Sequence, residues 1–295
     1  MDADVELHPR SHRITLPPPA GPGEVAFYDY GPEDRQPDVV FLHANGFNAL
    51  AYRTILSPLS ASLRILTPDQ RGHGATWLAT DRLRTSWLDL KDDLLAFLDA
   101  MSIERVVLAG HSMGGTASLL AAAEAPERVR ALALFDPVIR PPGPSIVSPE
   151  AMRASPMIAG AIKRRRSFLS KAAAIESYRG RGAFRTWTEA QLADYVAAGF
   201  HDAPGGVELA CTPEWEVSNY VNQDHDSWAA FADSRCPIRI LRAAENSPGR
   251  IDGNLDQLTA TGRIRIDTVP GTTHFLPMER PDLVRAALLE AVETP

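Results

Sequence analysis

The 295-residue sequence predicts an α/β fold, a mostly parallel sheet with helices on both faces. Three observations carry that expectation. Short apolar runs of strand length alternate with segments of helical periodicity, as in sheets built from crossover connections. Several of the runs are continuous rather than alternating, which marks strands buried on both faces. Finally, Gly110-His-Ser-Met-Gly114 sits where one such strand passes into a helix rich in Ala and Leu. That is the context in which a Gly-x-Ser-x-Gly stretch becomes a sharp strand-to-helix turn with an exposed serine hydroxyl.

The elements follow in order. Residues 10–24 are rich in proline and are expected to form an extended lead-in or an edge strand. Residues 25–30 alternate like a strand, and 32–37 make a turn. Val39-Val-Phe-Leu-His43 is a buried strand, a helix is expected over 52–60, and 63–67 form the next strand. Over 87–101, Trp87, Leu90, Leu94, Phe97, Leu98 and Met101 recur at helical spacing with carboxylates opposite. The strand ending at Gly110 leads to Ser112 and a helix over 116–124, and 129–135 form another strand. Strand and helix alternation then stops, and no clear buried strand is legible from Arg140 to about Ser234. This stretch opens on Pro141-Pro-Gly-Pro144 and has helix-like segments over 149–180 and 188–199. Lys163-Arg-Arg-Arg166 reads as a solvated helix face. Alternation returns with strands over 238–242 and 264–269 and a last helix over 281–292.

Bulk composition narrows the classes. Hydrophobic residues at 44% and charged residues at 23% fit an ordinary globular chain. The net charge of -7 argues against nucleic acid and anionic membrane surfaces as partners. Cys211 and Cys236 are far apart and lack metal-ligand spacing, so free thiols are expected. The acidic start has no apolar run of a signal peptide, and no segment approaches the roughly twenty apolar residues of a membrane span. A cytoplasmic protein is the expectation. Asp224-His-Asp226 is too short a cluster to imply a metal, and no glycine-rich phosphate loop is visible, so no cofactor and no metal are expected.

Four stretches, Phe41-Leu-His-Ala-Asn-Gly46, Asp69-Gln-Arg-Gly-His-Gly74, Gly110-His-Ser-Met-Gly-Gly115 and Gly271-Thr-Thr-His-Phe275, occur in that order. Together they resemble the α/β-hydrolase superfamily, over nearly the whole chain. The resemblance implies the α/β-hydrolase fold with a helical cap inserted after the sixth strand. The core is then residues 1–139 and 235–295, and the cap 140–234. Some of the cap aromatics between Phe168 and Trp228 are expected to line a pocket over Ser112, and most to form the cap's own core.

The resemblance also implies a set of site residues. A serine hydroxyl needs a base within hydrogen-bond reach to act as a nucleophile. Among eight histidines, His274 occupies the position of the family's catalytic base. His111 should point away as a packing residue, and His43 and His73 belong to structural turns. In most of the family the acid follows the seventh strand, where Asn246 or Ser247 stands here and Glu245 is out of register by a residue or two. Asp136 ends the sixth strand, where certain esterases and the haloalkane dehalogenases keep their acid. Asp136 is therefore the first choice, with Glu245 and Asp252 as alternatives. The oxyanion hole is expected from the backbone N–H groups of Met113 and Asn45. Ala44 replaces the glycine usual in the family's His-Gly turn.

These residues point to a serine hydrolase of carboxylic esters working through an acyl-enzyme on a small-molecule acyl substrate. Lactone hydrolysis and carbon–carbon cleavage use the same residues, and a non-catalytic ligand receptor on this fold is the reading from another class. A homo-oligomer is compatible with the sequence.

Overall fold

The computed structural model describes residues 8–18, 20–80, 86–141 and 155–294. Among the described residues, seven strands precede residue 136: β1 (Arg10–Thr15), β2 (Gly23–Tyr30), β3 (Val39–Leu42), β4 (Ile65–Pro68), β5 (Trp77–Leu78), β6 (Val106–His111) and β7 (Val129–Phe135). A long segment carrying β8 (Ser167–Phe168), β9 (Phe200–Ala203) and β10 (Gly206–Leu209) separates them from β11 (Ile238–Ala243) and β12 (Ile264–Val269). The main sheet runs β1-β2-β4-β3-β6-β7-β11-β12, with β5 paired to β2. From β4 to β12 the neighbours are parallel, while β1 and β2 are antiparallel additions at one edge. This is the expected α/β-hydrolase architecture, and the proline-rich lead-in contains the edge strand.

The continuous apolar strands are explained by cover on both faces. Along β3, β6 and β7 alternate residues point to opposite sides. Val40, Leu42, Leu108, Leu132 and Leu134 pack on one side. There they meet α2 (Trp87–Ala100) and α3 (Met113–Glu124), after α1 (Arg53–Leu56) has crossed to the other face. Val39, Phe41, Val107, Ala133 and Phe135 face that second side, with Ile55 and Leu56 of α1. Ser86 begins α2 by accepting a hydrogen bond from the Leu88 N–H at 3.0 Å, which satisfies one of the orphan donors of the first turn. The helix after Ser112 starts at Met113, three residues earlier than the sequence suggests, because the turn feeds straight into it.

The intervening segment is less helical than expected. It contains α4 (Pro156–Ile162), α5 (Lys171–Tyr178), α6 (Glu189–Gly199), α7 (Pro213–Val221) and α8 (Ser227–Asp233). It also contains a three-stranded antiparallel sheet ordered β8-β10-β9. These strands have only two to four residues, too short for periodicity to separate them from loop. The stretch expected as one helical run over 149–180 is divided by β8, and its first residues, 149–154, lie outside the described residues. The basic run 163–166 follows α4 and is not a helix face. Lys163, Arg165 and Arg166 are exposed, while Arg164 is half-buried and ion-paired with Glu216. The chain closes with α9 (Leu255–Thr259), α10 (Leu276–Glu279) and α11 (Pro281–Glu293). No helix among the described residues is long and apolar enough to cross a membrane.

Close approach at the end of β6 fixes how α3 meets the sheet. A Cβ on Gly114 would stand 2.4 Å from the Leu42 carbonyl oxygen and 2.6 Å from that of His43, both backbone atoms. A Cβ on Gly160 would meet nothing within 4 Å. Gly114→Ala is therefore expected to destabilise by about 1–3 kcal/mol, and Gly160→Ala to be neutral or slightly stabilising. Thermal melts of the two variants beside the parent chain test this, and equal melting temperatures for both would contradict the packing.

Candidate active site

Ser112 occupies the turn between β6 and α3 with φ 54° and ψ -119°, a conformation that costs a non-glycine residue of order 1–3 kcal/mol. Two contacts hold the turn. The Ser112 N–H donates to the Phe135 carbonyl at 3.0 Å, and a Cβ on Gly110 would lie 2.5 Å from the Gly114 carbonyl carbon. The hydroxyl is thereby lifted above the carboxyl end of the sheet, where ligands of α/β folds bind.

His274 lies on the loop after β12. Its Nε2 is 2.9 Å from Ser112 Oγ and its Nδ1 is 2.6 Å from Asp136 Oδ2. A carboxylate can only accept, so Nδ1 carries the proton and Nε2 is left to accept from the serine hydroxyl. The loop is held from below: the Thr273 N–H and hydroxyl each donate to the Glu279 carboxylate at 2.8 Å. Asp136 follows β7 with φ 45° and is fully buried. Burial would raise its carboxyl, but hydrogen bonds from His274, from the Ser247 hydroxyl at 2.6 Å and from the Ala243 N–H at 2.9 Å hold it below the usual carboxylate range.

Of the acids considered, Asp136 is brought to His274 and the others are not. Glu245 is exposed, and its backbone N–H donates to Thr272 at 3.0 Å. Asp252 is paired with Arg242 at 2.7 Å. Ser247, at the place where an aspartate was sought, serves Asp136 instead of replacing it. Asn45 and Met113 lie on the two segments that meet at Ser112, since the Gly114 backbone packs on the carbonyls of Leu42 and His43. Among the described residues, neither the Asn45 nor the Met113 N–H donates to a protein acceptor.

Three buried histidines frame these segments. The His111 ring lies 2.7 Å from the His274 carbonyl through Nε2 and 2.7 Å from Tyr52 Oη through Nδ1. A carbonyl cannot donate, so Nε2–H donates to it and Nδ1 accepts from the tyrosine, whose oxygen accepts the Ala44 N–H at 3.1 Å. His111 is thus more than a packing residue: it links the turn before Ser112 to the loop bearing His274 and to the loop after β3. The His43 Nε2 accepts the Gln70 N–H at 2.9 Å, and the His73 Nε2 accepts the Gly46 N–H at 3.0 Å. The Asp69 carboxylate accepts the N–H groups of Ala49 and Ala75 at 2.8 and 2.9 Å.

Above the site, Phe47 is 5.4 Å from Trp187, 5.6 Å from Tyr195 and 6.2 Å from Phe275 between ring centroids. These rings join the loop after β3, the loop bearing His274 and the intervening segment into one apolar wall. Glu216 and Asn219, which sequence reasoning passed over, reach the same loop from α7. Their signal was two polar residues three apart on the buried side of a helix. His12, Asp29 and Glu33 come close enough to suggest a metal, but Arg10 and Arg64 already pair with the carboxylates. Asp224 accepts from Ser86, His225 stacks on Trp87, and Asp226 caps α8, so that triplet does not converge on a metal position.

The alpha/beta hydrolase family profile matches residues 39–287, and the chain belongs to that family of hydrolases. The 2-(acetamidomethylene)succinate hydrolase of Mesorhizobium japonicum is 22% identical over 263 residues, covering 87% of this chain and 88% of its own. A crystal structure of E-2-(acetamidomethylene)succinate hydrolase superposes with a TM-score of 0.77 at 20% identity, over 97% of this chain and all of that one. The 2-hydroxy-6-oxo-2,4-heptadienoate hydrolase of Pseudomonas putida is 34% identical over 129 residues, 40% of this chain and 43% of its own.

The buried histidines make stability depend on pH. Burial lowers His111 to about 3 and His73 to about 4, and His43 well below its ordinary 6.5. The unfolded chain binds these protons below about pH 6.5 while the folded chain refuses them, so stability falls as pH drops from there towards 4. Burial raises Asp69 to about 6, which works in the opposite direction with a single proton. The three histidines outweigh it. The urea midpoint is expected to be lower at pH 5 than at pH 7 at matched ionic strength; an equal or higher midpoint at pH 5 would contradict the neutral buried state.

Proposed function

We propose that the chain hydrolyses carboxylic esters of small molecules through an acyl-enzyme, with Ser112 as nucleophile, His274 as base and Asp136 as the acid that orients it. The observation that carries this reading is the continuous hydrogen-bonded chain from Ser112 Oγ through both His274 nitrogens to a buried, ionised Asp136. Ser112 Oγ attacks the acyl carbon as His274 Nε2 takes its proton. The carbonyl oxygen becomes an oxyanion, met by the N–H groups of Met113 and Asn45, each such donor supplying about 2.7–4 kcal/mol. Collapse expels the alcohol, which leaves with the proton from Nε2. Water, deprotonated by the same nitrogen, then attacks the acyl-enzyme and releases the acid and Ser112. Asp136 stays ionised throughout and stabilises the imidazolium.

In this reading residues 140–234 act as a cap, and the wall of Phe47, Trp187 and Phe275 receives an apolar or aromatic part of the substrate. A lactone, or a carbon–carbon bond beside a carbonyl group, presents the same electrophilic carbon to Ser112. The similarity to the heptadienoate hydrolase supports that second reading. Water-soluble substrates free of nucleic acid and membrane fit the acidic chain.

Steady-state hydrolysis of p-nitrophenyl esters of graded acyl length is the test. Turnover is expected in the parent chain and a loss of at least about a thousandfold in Ser112→Ala; activity kept by that variant would remove Ser112 as nucleophile. Inertness of the parent towards every ester, with turnover of a lactone or diketone, would favour the second reading. Asp136→Asn is expected to cut kcat by about a thousandfold or more, and Glu245→Gln by less than about twofold. The reverse ranking would transfer the acid to the loop after β11.

A further inference from the structure

Helix α7 presents Glu216 and Asn219 three residues apart, hence on one face, and both are buried. Buried polar groups require partners, and these find theirs in the loop after β3. The Asn219 amide donates to Asn45 Oδ1 at 2.9 Å, and Asn45 Nδ2 donates to the Glu216 carbonyl at 2.9 Å. Both ends of the Asn45 carboxamide are therefore taken by the same helix. That helix is tied to the core, because the Trp87 indole N–H donates to the Asn219 carbonyl at 2.8 Å and the Trp215 indole to that of Arg71 at 2.9 Å.

The next residue of the loop is gripped from a second helix. Tyr195 of α6 donates its hydroxyl proton to the Gly46 carbonyl at 3.0 Å and accepts from Arg164 Nη2 at 2.7 Å. Arg164 is in turn ion-paired with Glu216, closing a ring of contacts between α6, α7 and the loop. The approach is tight: a Cβ on Gly46, which has φ +73°, would stand 2.7 Å from the Glu216 carboxylate. From the core side the same residue is held by its N–H on His73.

We propose that Asn219 and Tyr195 are positioning residues that hold Asn45 and Gly46 in the orientation at which the Asn45 N–H meets the oxyanion. The intervening segment thereby builds part of the catalytic apparatus as well as covering it. This rests on the reading of Asn45 as an oxyanion donor. Such a donor acts only when fixed before charge develops, and an error of about 1 Å costs on the order of a hundredfold. The loop has Ala44 where a glycine is usual, and its geometry is set by side-chain contacts from outside.

The test uses the full chain with Asn219→Ala and, separately, Tyr195→Phe, which removes one oxygen atom and leaves the ring packing intact. Amide hydrogen exchange at Gly46 and Phe47 is read beside p-nitrophenyl acetate kinetics. Both amides are expected to exchange faster, kcat to fall by about tenfold to a hundredfold, and KM to change by less than about twofold. Unchanged exchange in Tyr195→Phe and in any folded Asn219→Ala overturns the proposal, as does faster exchange with kcat unaltered. A parent chain inert towards the ester would sink the ester reading, and the exchange result would then decide the grip on the loop by itself.

Discussion

The backbone at Ser112 is the constraint from which the rest of the site follows. A serine at φ 54° is held there by the surrounding packing and not by its own preference. The packing requires Gly110 and Gly114, whose missing side chains let α3 lie against the end of β6 and against the carbonyls of β3. This one close contact places the helix N-terminus, Ser112 and the loop after β3 within a single small volume. A side chain at Gly114 would push two of those three apart.

Around this turn the polar groups are arranged as neutral scaffolding. His43, His73 and His111 are buried without charge, each with one nitrogen donating and the other accepting. A histidine used this way acts as a rigid two-ended connector of fixed length, which hydroxyls and amides on flexible stems do not provide. Of the histidines near the serine, only His274 has a ring nitrogen aimed at Ser112.

Much of this was legible in the sequence. Strands buried on both faces announce themselves as continuous apolar runs, the glycine-flanked Ser112 follows from local turn chemistry, and His274 was placed by the resemblance to the family. Asp136 could be named as first choice yet not separated from Glu245, because which side chain reaches an imidazole depends on neighbouring strands distant in sequence. The small sheet of β8, β9 and β10 was missed because strands of two to four residues are too short for alternation to stand out from loop. Pro204-Gly205 between β9 and β10 is a turn signal that could have revealed the hairpin. In the basic run at 163–166, solvated as expected at Lys163, Arg165 and Arg166 but not helical, Arg164 departs for a related reason. Charge alone suggests solvent, whereas Arg164 is drawn inward by Glu216 some fifty positions away, a partner that no local pattern can supply.

Asp136 and Ser112 each stand one residue past the ends of adjacent parallel strands, β7 and β6, joined by a ladder of backbone hydrogen bonds. Their separation is thus governed by the spacing of two neighbouring strands. Both backbones are tied to a neighbouring strand, Ser112 through Phe135 and Asp136 through Leu241, whereas His274 rides on the loop after β12. Mechanical tolerance in the trio is concentrated in that one member, so the alignment has effectively a single adjustable joint. Drift in the remainder of the chain, through insertions in surface loops or reshaping of the segment above the sheet, can be absorbed so long as the loop bearing His274 keeps its seat on Glu279 and His111.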